Sequence, residues 1–393
     1  MKILILATDI YTRGGIARYT STFASVLGEL VGPENVHVLV LLDKPGVKQS
    51  PKGFRILKAV AERPTAIAKL RFAGEALKVA RSRYDLIICS HLALAPIAAA
   101  ARLAFGCRYW ISCYGIEAWR RLPRLEFLAL ERAALVLPIS HFTATMLNEV
   151  SGLSYNKMRI LHNAIPDDFA SALVTPNGVE PIAVRAGRDT RVVLSVGSLS
   201  KSVAYKGFDV VIRALPKVLE AVPNVRYVIV GDGDDKENLK GLAAEIGVGD
   251  HVDFAGEVSD AELAAYYRAC DVFVLPSRTV QRNGYWEGEG FGFVYLEAAL
   301  AAKPVVGSRD GGAAEAVLHG TTGLLVDPAS VSDSANALIT LLQDPEMRTR
   351  MGREGQRWVR ENFTTTSLRR QLVPLVATIS PTTLSESEAT ACS

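Results

Sequence analysis

No apolar run in this sequence approaches the ~18–20 residues that a bilayer-spanning helix needs. The longest, Leu92–Ala101, is ten residues and stops at Arg102, so no helix long and apolar enough to cross a bilayer is expected. Cysteine is scarce: Cys89, Cys107, Cys113, Cys270 and Cys392 are scattered, odd in number and without a CxxC pair. That excludes a disulfide framework and a structural zinc site, and it fits a reducing compartment. Charge is modest, at 22% of residues against 49% apolar, which excludes a disordered or collagen-like chain. The opening MKILILATD has too short an apolar stretch for a signal peptide and reads as a strand. A cytoplasmic protein is expected.

What is present is length and a repeated pattern. A chain of 393 residues suits two domains, and both halves open alike. A compact apolar run, Met1–Ala7 or Arg191–Val196, leads through a glycine-bearing loop into a helical stretch. Val/Ile/Leu-rich runs without alternation suit parallel strands buried on both faces. More follow at Val36–Leu42, Tyr84–Ser90, Tyr109–Cys113, Leu135–Ile139 and Met158–Leu161. The second half offers Arg226–Gly231, Val252–Ala255, Val272–Pro276, Pro304–Ser308 and Gly323–Val326. Helical segments such as Phe208–Val222 and Asp260–Cys270 lie between them. Such alternation predicts α/β architecture: two Rossmann-like doubly wound parallel sheets facing a central cleft.

The expected division is an acceptor domain at 1–170, a linker at 171–190 and a donor domain at 191–362. A helix at 363–379 should pack back towards the N-terminal domain, and the Ser/Thr-rich tail 380–393 should be disordered. Charge is unevenly shared. Residues 1–179 carry 22 Lys+Arg against 13 Asp+Glu, and the remainder 22 against 28. A basic first half points to an anionic partner. Nucleic acid is not expected, because the basic segment holds no recognition motif and the second half is acidic.

The strongest motif runs from Glu289 through Gly290-Phe291-Gly292 to Glu297, two carboxylates eight residues apart around a GxG. A helix beginning there offers main-chain N–H groups and a positive dipole to phosphate or sugar oxygens. A carboxylate further along suits ribose hydroxyls. Lys206, between a strand and a helix, could meet a diphosphate as a point charge. Gly231-Asp232-Gly233 lacks the third glycine of a dinucleotide fingerprint and reads as a plain turn. His141, His162 and His319 have no partner at metal-ligand spacing.

Taken in order, these motifs resemble glycosyltransferase family 4, retaining enzymes of the GT-B fold. Asn163-Ala164-Ile165-Pro166, Val196-Gly197-Ser198-Leu199 with Lys206-Gly207, Leu275-Pro276-Ser277 and Gly311-Gly312-Ala313-Ala314-Glu315 all resemble its elements. So do Gly14-Gly15 and Gly115-Ile116-Glu117 with Trp119. Within the family the chain is most similar to bacterial mannosyltransferases that act on lipid-linked acceptors. The resemblance implies a hexosyltransferase using a nucleotide-diphospho-sugar, GDP-mannose favoured, without a metal or other cofactor. It implies that Lys206 holds the diphosphate, Glu297 the ribose, and Gly290, Phe291 and Gly292 the phosphate or sugar. Glu289 would meet the transferred sugar, Val258 the nucleobase, and Gly15 and Gly197 would allow close approach of the phosphates.

Two departures stand out. Ser198 occupies a position where the family commonly has Arg, and Lys201, Arg278 or Arg282 could replace that cation. Tyr114 stands where a sugar-side His is common; His91, Glu117 and Trp119 are further sugar-side or acceptor candidates. Residues 52–83 hold nine Lys/Arg, from Lys52 to Arg83, interleaved with Ile67, Leu70 and Phe72. A basic amphipathic segment is what a peripheral enzyme would set against an anionic membrane. The expectation is therefore a cytoplasmic enzyme on the inner face of the cell membrane, acting on a lipid-linked saccharide or glycolipid. The alternative is a degenerate, sugar-nucleotide-binding subunit without turnover.

Overall fold

The computed structural model describes residues 1–11, 14–42, 53–162, 164–175 and 190–379. The expected tail at 380–393, most of the expected linker, Lys52 and Asn163 lie outside them. The chain forms two compact units, Met1–Pro166 with the segment from Thr364 onward, and Asp167–Phe363.

In the N-terminal unit the described strands are β1 (Ile3–Ala7), β2 (Val36–Leu42), β3 (Arg55–Ala61), β4 (Leu86–Cys89), β5 (Arg108–Cys113) and β6 (Leu135–Pro138). They form one sheet in the order β3-β2-β1-β4-β5-β6, every pairing parallel. β1 lies at its centre with every residue from Ile3 to Ala7 buried, as a strand covered on both faces requires. The helix Thr365–Ala377 belongs to this unit and packs on the helix Gly15–Val31. Arg108 donates to the Thr378 carbonyl at 3.1 Å, tying its far end to β5.

Two expectations change here. Residues 52–83 are not one amphipathic stretch but edge strand β3 and a helix, Ala66–Ala80. Pro64 separates them, and the Thr65 hydroxyl starts the helix by accepting from the Ala68 N–H. Met158–Leu161 makes a single bridge to Val136 rather than a strand. It donates to the Val136 and Pro138 carbonyls, but Pro138 has no N–H to return a bond, so the ladder cannot extend.

The C-terminal unit opens with the helix Asp167–Val174, where a linker was expected from 171. Its described strands are β7 (Arg191–Val196), β8 (Val225–Val230), β9 (Val252–Gly256), β10 (Val272–Leu275), β11 (Val280–Arg282), β12 (Tyr285–Glu287), β13 (Val305–Ser308) and β14 (Gly323–Val326). The main sheet runs β14-β13-β10-β7-β8-β9, again wholly parallel. Read from β9 inward, this repeats the N-terminal strand order. β11 and β12 form an antiparallel hairpin outside it. Asn283 and Gly284 turn it with φ of 52° and 80°, the left-handed pair that a two-residue hairpin loop needs. The helices Phe208–Ala221 and Asp260–Ala269 fall where periodicity places them, the second closed by a capping box between Ser259 and Glu262.

Candidate donor site

In an open α/β sheet a ligand binds beyond the carboxyl ends of the strands, where the strand order reverses. In the C-terminal unit that point lies between β7 and β10. The loops leaving these strands, with those leaving β8 and β13, carry most of the sequence-predicted donor residues.

Lys206 ends a short 3-10 segment, Lys201–Lys206, after β7. Its stem lies over Gly197: a Cβ there would sit 3.1 Å from the Lys206 Cδ. The next residue, Gly207, has φ of +81°, and a Cβ on it would come 2.3 Å from the Pro276 carbonyl. Glycine at 207 is thus a packing requirement, and the bare Gly197 leaves room for the lysine stem. The Lys206 ammonium meets the Glu289 carboxylate at 2.8 Å, with the two side chains 15% and 18% exposed. Burial pushes the lysine's pKa down, but the Glu289 and Tyr205 charges outweigh it and leave the value raised.

Glu289 is held from a different direction. Its carbonyl accepts from the Gly312 N–H at 3.1 Å, and a Cβ on Gly312 would fall 1.9 Å from the Gly290 carbonyl. The Gly311-Gly312 turn after β13 therefore lies directly on the Glu289-Gly290 main chain. Gly292, with φ of +87°, caps the helix Phe293–Leu300. The Phe291 ring is buried against Phe363, with centroids 5.5 Å apart. Any ligand role for Phe291 falls to its main chain.

Glu297 is 5% exposed and accepts from the Tyr267 hydroxyl at 2.7 Å. A buried carboxylate with a hydroxyl donor is fixed in orientation. Val258 is half-buried just beyond the end of β9. The Gly231-Asp232-Gly233 turn is tighter than a plain turn, since a Cβ at Gly231 would lie 1.9 Å from the Gly197 carbonyl. Of the three candidate replacements for a cation at Ser198, Arg278 is engaged. Its guanidinium pairs with Asp209, and its N–H donates to the Tyr205 carbonyl at 2.7 Å. Lys201 lies nearby with its N–H on Asp234, and Arg282 stands on the hairpin near Glu287. Ser198, Arg278 and Arg282 border one cavity of about 250 Å³. The hairpin itself was missed, although Asn283-Gly284 between two β-prone runs is its usual signal.

The N-terminal candidates fall into two groups. Tyr114 and Trp119 are core side chains. Tyr114 packs edge-on against Tyr19 at 5.6 Å, and Trp119 against Phe142 at 5.1 Å. Burial pushes the Tyr114 phenol well up, so it does not act as a base near neutrality. His91 and Glu117 are half-buried and act on the local main chain. The His91 ring accepts from the Ala93 N–H at 3.1 Å, and Glu117 accepts from the Tyr114 N–H. Gly15 opens the helix Gly15–Val31, and a Cβ there would touch nothing within 4 Å.

Two doubly wound units with this loop chemistry define a class, the GT-B glycosyltransferases. Comparison with known proteins places the chain within it. The family model described as "Glycosyltransferase Family 4" matches residues 13–169, and "Glycosyl transferases group 1" matches residues 182–358. A GDP-mannose-dependent alpha-(1-6)-phosphatidylinositol monomannoside mannosyltransferase of Mycolicibacterium smegmatis is 33% identical over 92% of this chain and 94% of its own length. Its counterpart in Mycobacterium tuberculosis is 32% identical over 91% and 93%. Among solved structures, Anabaena HepE in complex with UDP superposes with a TM-score of 0.78 at 21% identity, covering 96% of this chain and all of that one. Sucrose-phosphate synthase of Thermosynechococcus elongatus gives 0.76 at 22%, covering 96% and 99%. The chain belongs to glycosyltransferase family 4. It is a hexosyltransferase of the GT-B fold, and the alternative of a degenerate subunit is not supported.

Proposed function

We propose that the enzyme transfers mannose from GDP-mannose, with retention, to a phosphatidylinositol mannoside or a similar lipid-linked acceptor. The observation that carries this reading is the likeness to GDP-mannose-dependent relatives over more than nine-tenths of both chains. In this reading the diphosphate lies beyond β7 and β10 against Lys206, which stabilises charge developing on the departing phosphate. Glu289 accepts from hydroxyls of the transferred sugar, Glu297 from the ribose, and Val258 lies on the nucleobase side. The main chain at Gly290–Gly292 supplies close approach. No metal is required, because Lys206 and main-chain N–H groups serve the leaving group. The acceptor hydroxyl attacks the face that the phosphate leaves, and a phosphate oxygen takes its proton. That sequence retains the anomeric configuration without a protein nucleophile.

The acceptor reaches the enzyme at a membrane surface. No helix among the described residues is long and apolar enough to cross a bilayer. The helix Ala66–Ala80 buries Ala68, Phe72, Ala76 and Ala80 and leaves Ile67 and Leu70 64% and 74% exposed beside Lys69 and Arg71. Exposed aliphatic groups among basic ones suit the interface of an anionic membrane, here the inner face of the cell membrane. Two measurements test the proposal. In a thermal-shift panel of GDP, UDP, dTDP and ADP, GDP should give the largest stabilisation, about 2.7 kcal/mol at 100 times its dissociation constant. Labelled mannose should pass from GDP-mannose to phosphatidylinositol monomannoside. A larger shift with UDP, and no transfer, would overturn the donor assignment.

A further inference from the structure

We propose that Glu289 is an internal competitor of the diphosphate for Lys206, and that this competition favours binding of the loaded donor over the spent nucleotide. The inference rests on the donor-site reading above and assigns Glu289 a task that the reading does not contain.

The lysine is the fixed member of the pair. Its stem lies over Gly197, the Tyr205 carbonyl is held by the Arg278 main-chain N–H, and Gly207 abuts the Pro276 carbonyl. Its ammonium also sits 5.7 Å from the centre of the Tyr205 ring. Arg278 is itself tied to Asp209 in the first turn of the following helix. The glutamate's main chain is held by the Gly312 N–H, and among the described residues its carboxylate hydrogen-bonds to Lys206 alone, so the side chain has no second anchor. The carboxylate is therefore the member that yields when a phosphate arrives.

Yielding has a cost, because both side chains are less than a fifth exposed. A carboxylate removed from its cation in such a place needs new donors. A sugar-bearing nucleotide brings the transferred sugar's hydroxyls to supply them; a bare nucleoside diphosphate has only its ribose hydroxyls, which lie on the Glu297 side. The loaded donor thus compensates for the ion pair it breaks, while the product does not. After transfer Glu289 returns to Lys206 and helps the nucleotide leave. Lost affinity of this kind falls mostly on the dissociation rate.

The test is a double-mutant cycle on the full chain, titrating GDP and GDP-mannose by calorimetry and, to millimolar concentration, by displacement of a fluorescent GDP. The variants are Glu289→Gln, Lys206→Gln and the pair together. Glu289→Gln should bind GDP about tenfold more tightly than wild type, while GDP-mannose gains much less. The preference for loaded over spent nucleotide then falls by a similar factor. In the Lys206→Gln background the same change should give no tightening. Unchanged or weaker GDP binding by Glu289→Gln, with wild type binding normally, overturns the proposal. Equal tightening with and without Lys206 also overturns it, since Glu289 would then act by simple repulsion. Wild type binding neither ligand overturns the donor-site reading itself. Should Glu289→Gln fail to fold, Glu289→Asp draws the carboxylate back by one methylene and should tighten GDP in the same direction.

Discussion

The two units carry the same strand order on sheets built from the same kind of buried aliphatic run, yet their candidate residues fare differently. In the C-terminal unit the motif glycines press main chain on main chain and leave a charged pair partly open: Gly312 on Gly290, Gly231 on Gly197, and Lys206 with Glu289. In the N-terminal unit, residues of the matching edge have gone into the core, Tyr114 against Tyr19 and Trp119 against Phe142. A strand order fixes where a ligand can bind. What the loops beyond it contain decides whether the site is charged and built or filled with rings.

The largest expected effect tests the filled side. Trp119→Ala should destabilise the N-terminal unit by about 3–5 kcal/mol, the usual loss for a buried tryptophan. Urea denaturation measures it. Unchanged stability with a raised KM for the acceptor would instead make Trp119 a ligand contact. Next comes the charged side. Lys206→Gln should lower kcat by roughly 10²–10³, as removal of one group stabilising developing charge does, and lower the melting temperature as well, because Glu289 loses its cation where it is less than a fifth exposed. A loss confined to KM would mean that the lysine binds donor and transition state alike. Third are the glycines. Gly312→Ala should cost about 1–3 kcal/mol, because the new methyl meets the Gly290 carbonyl. Gly15→Ala should leave stability unchanged or raise it by up to about 1 kcal/mol, since the site is open and helical. If Gly15→Ala abolished activity at unchanged stability, that glycine would be kept for close approach of a ligand.

Much of this contrast was legible in the sequence, for physical reasons that differ by element. Interior strands such as Ile3–Ala7 and Arg191–Val196 announce themselves because burial on both faces leaves little room for polar residues; Ser195 is tolerated because it accepts from the Tyr227 hydroxyl and donates to the Val274 carbonyl. Edge strand β3, Arg55–Ala61, does not: its outer face is solvated, so its lysine and arginine read as part of one basic amphipathic segment. The Lys206–Glu289 neighbourhood was legible only as two separate motifs, 83 residues apart. That they meet is a property of the switch point, which sequence spacing does not encode. Tyr114 and Trp119 were misleading for a related reason. Their motif position suggests a site, but an aromatic ring beside a strand end settles wherever the neighbouring helix offers apolar surface, here Tyr19 and Phe142. Gly231-Asp232-Gly233 looked like an ordinary turn because its reason, the backbone of Gly197 and Leu199, comes from another loop.

The smallest effect is also the most specific to the charged side. The Lys206 pKa is raised above the ordinary 10.5, so the pair's contribution to stability is fully present below that value. It is lost as pH rises through the higher folded-state value. Wild type should therefore lose more melting temperature than Glu289→Gln between pH 10 and 12, and the two curves should run parallel between pH 7 and 9. The N-terminal edge offers no such pair at Tyr114 or Trp119. A Tyr114→Phe variant should thus track wild type across this range, because burial pushes the wild-type Tyr114 phenol well above the ordinary tyrosine value. If Glu289→Gln and wild type lost stability identically above pH 10, the pair would contribute nothing to the folded state. The contrast between a charged edge and a filled one would then rest on packing alone.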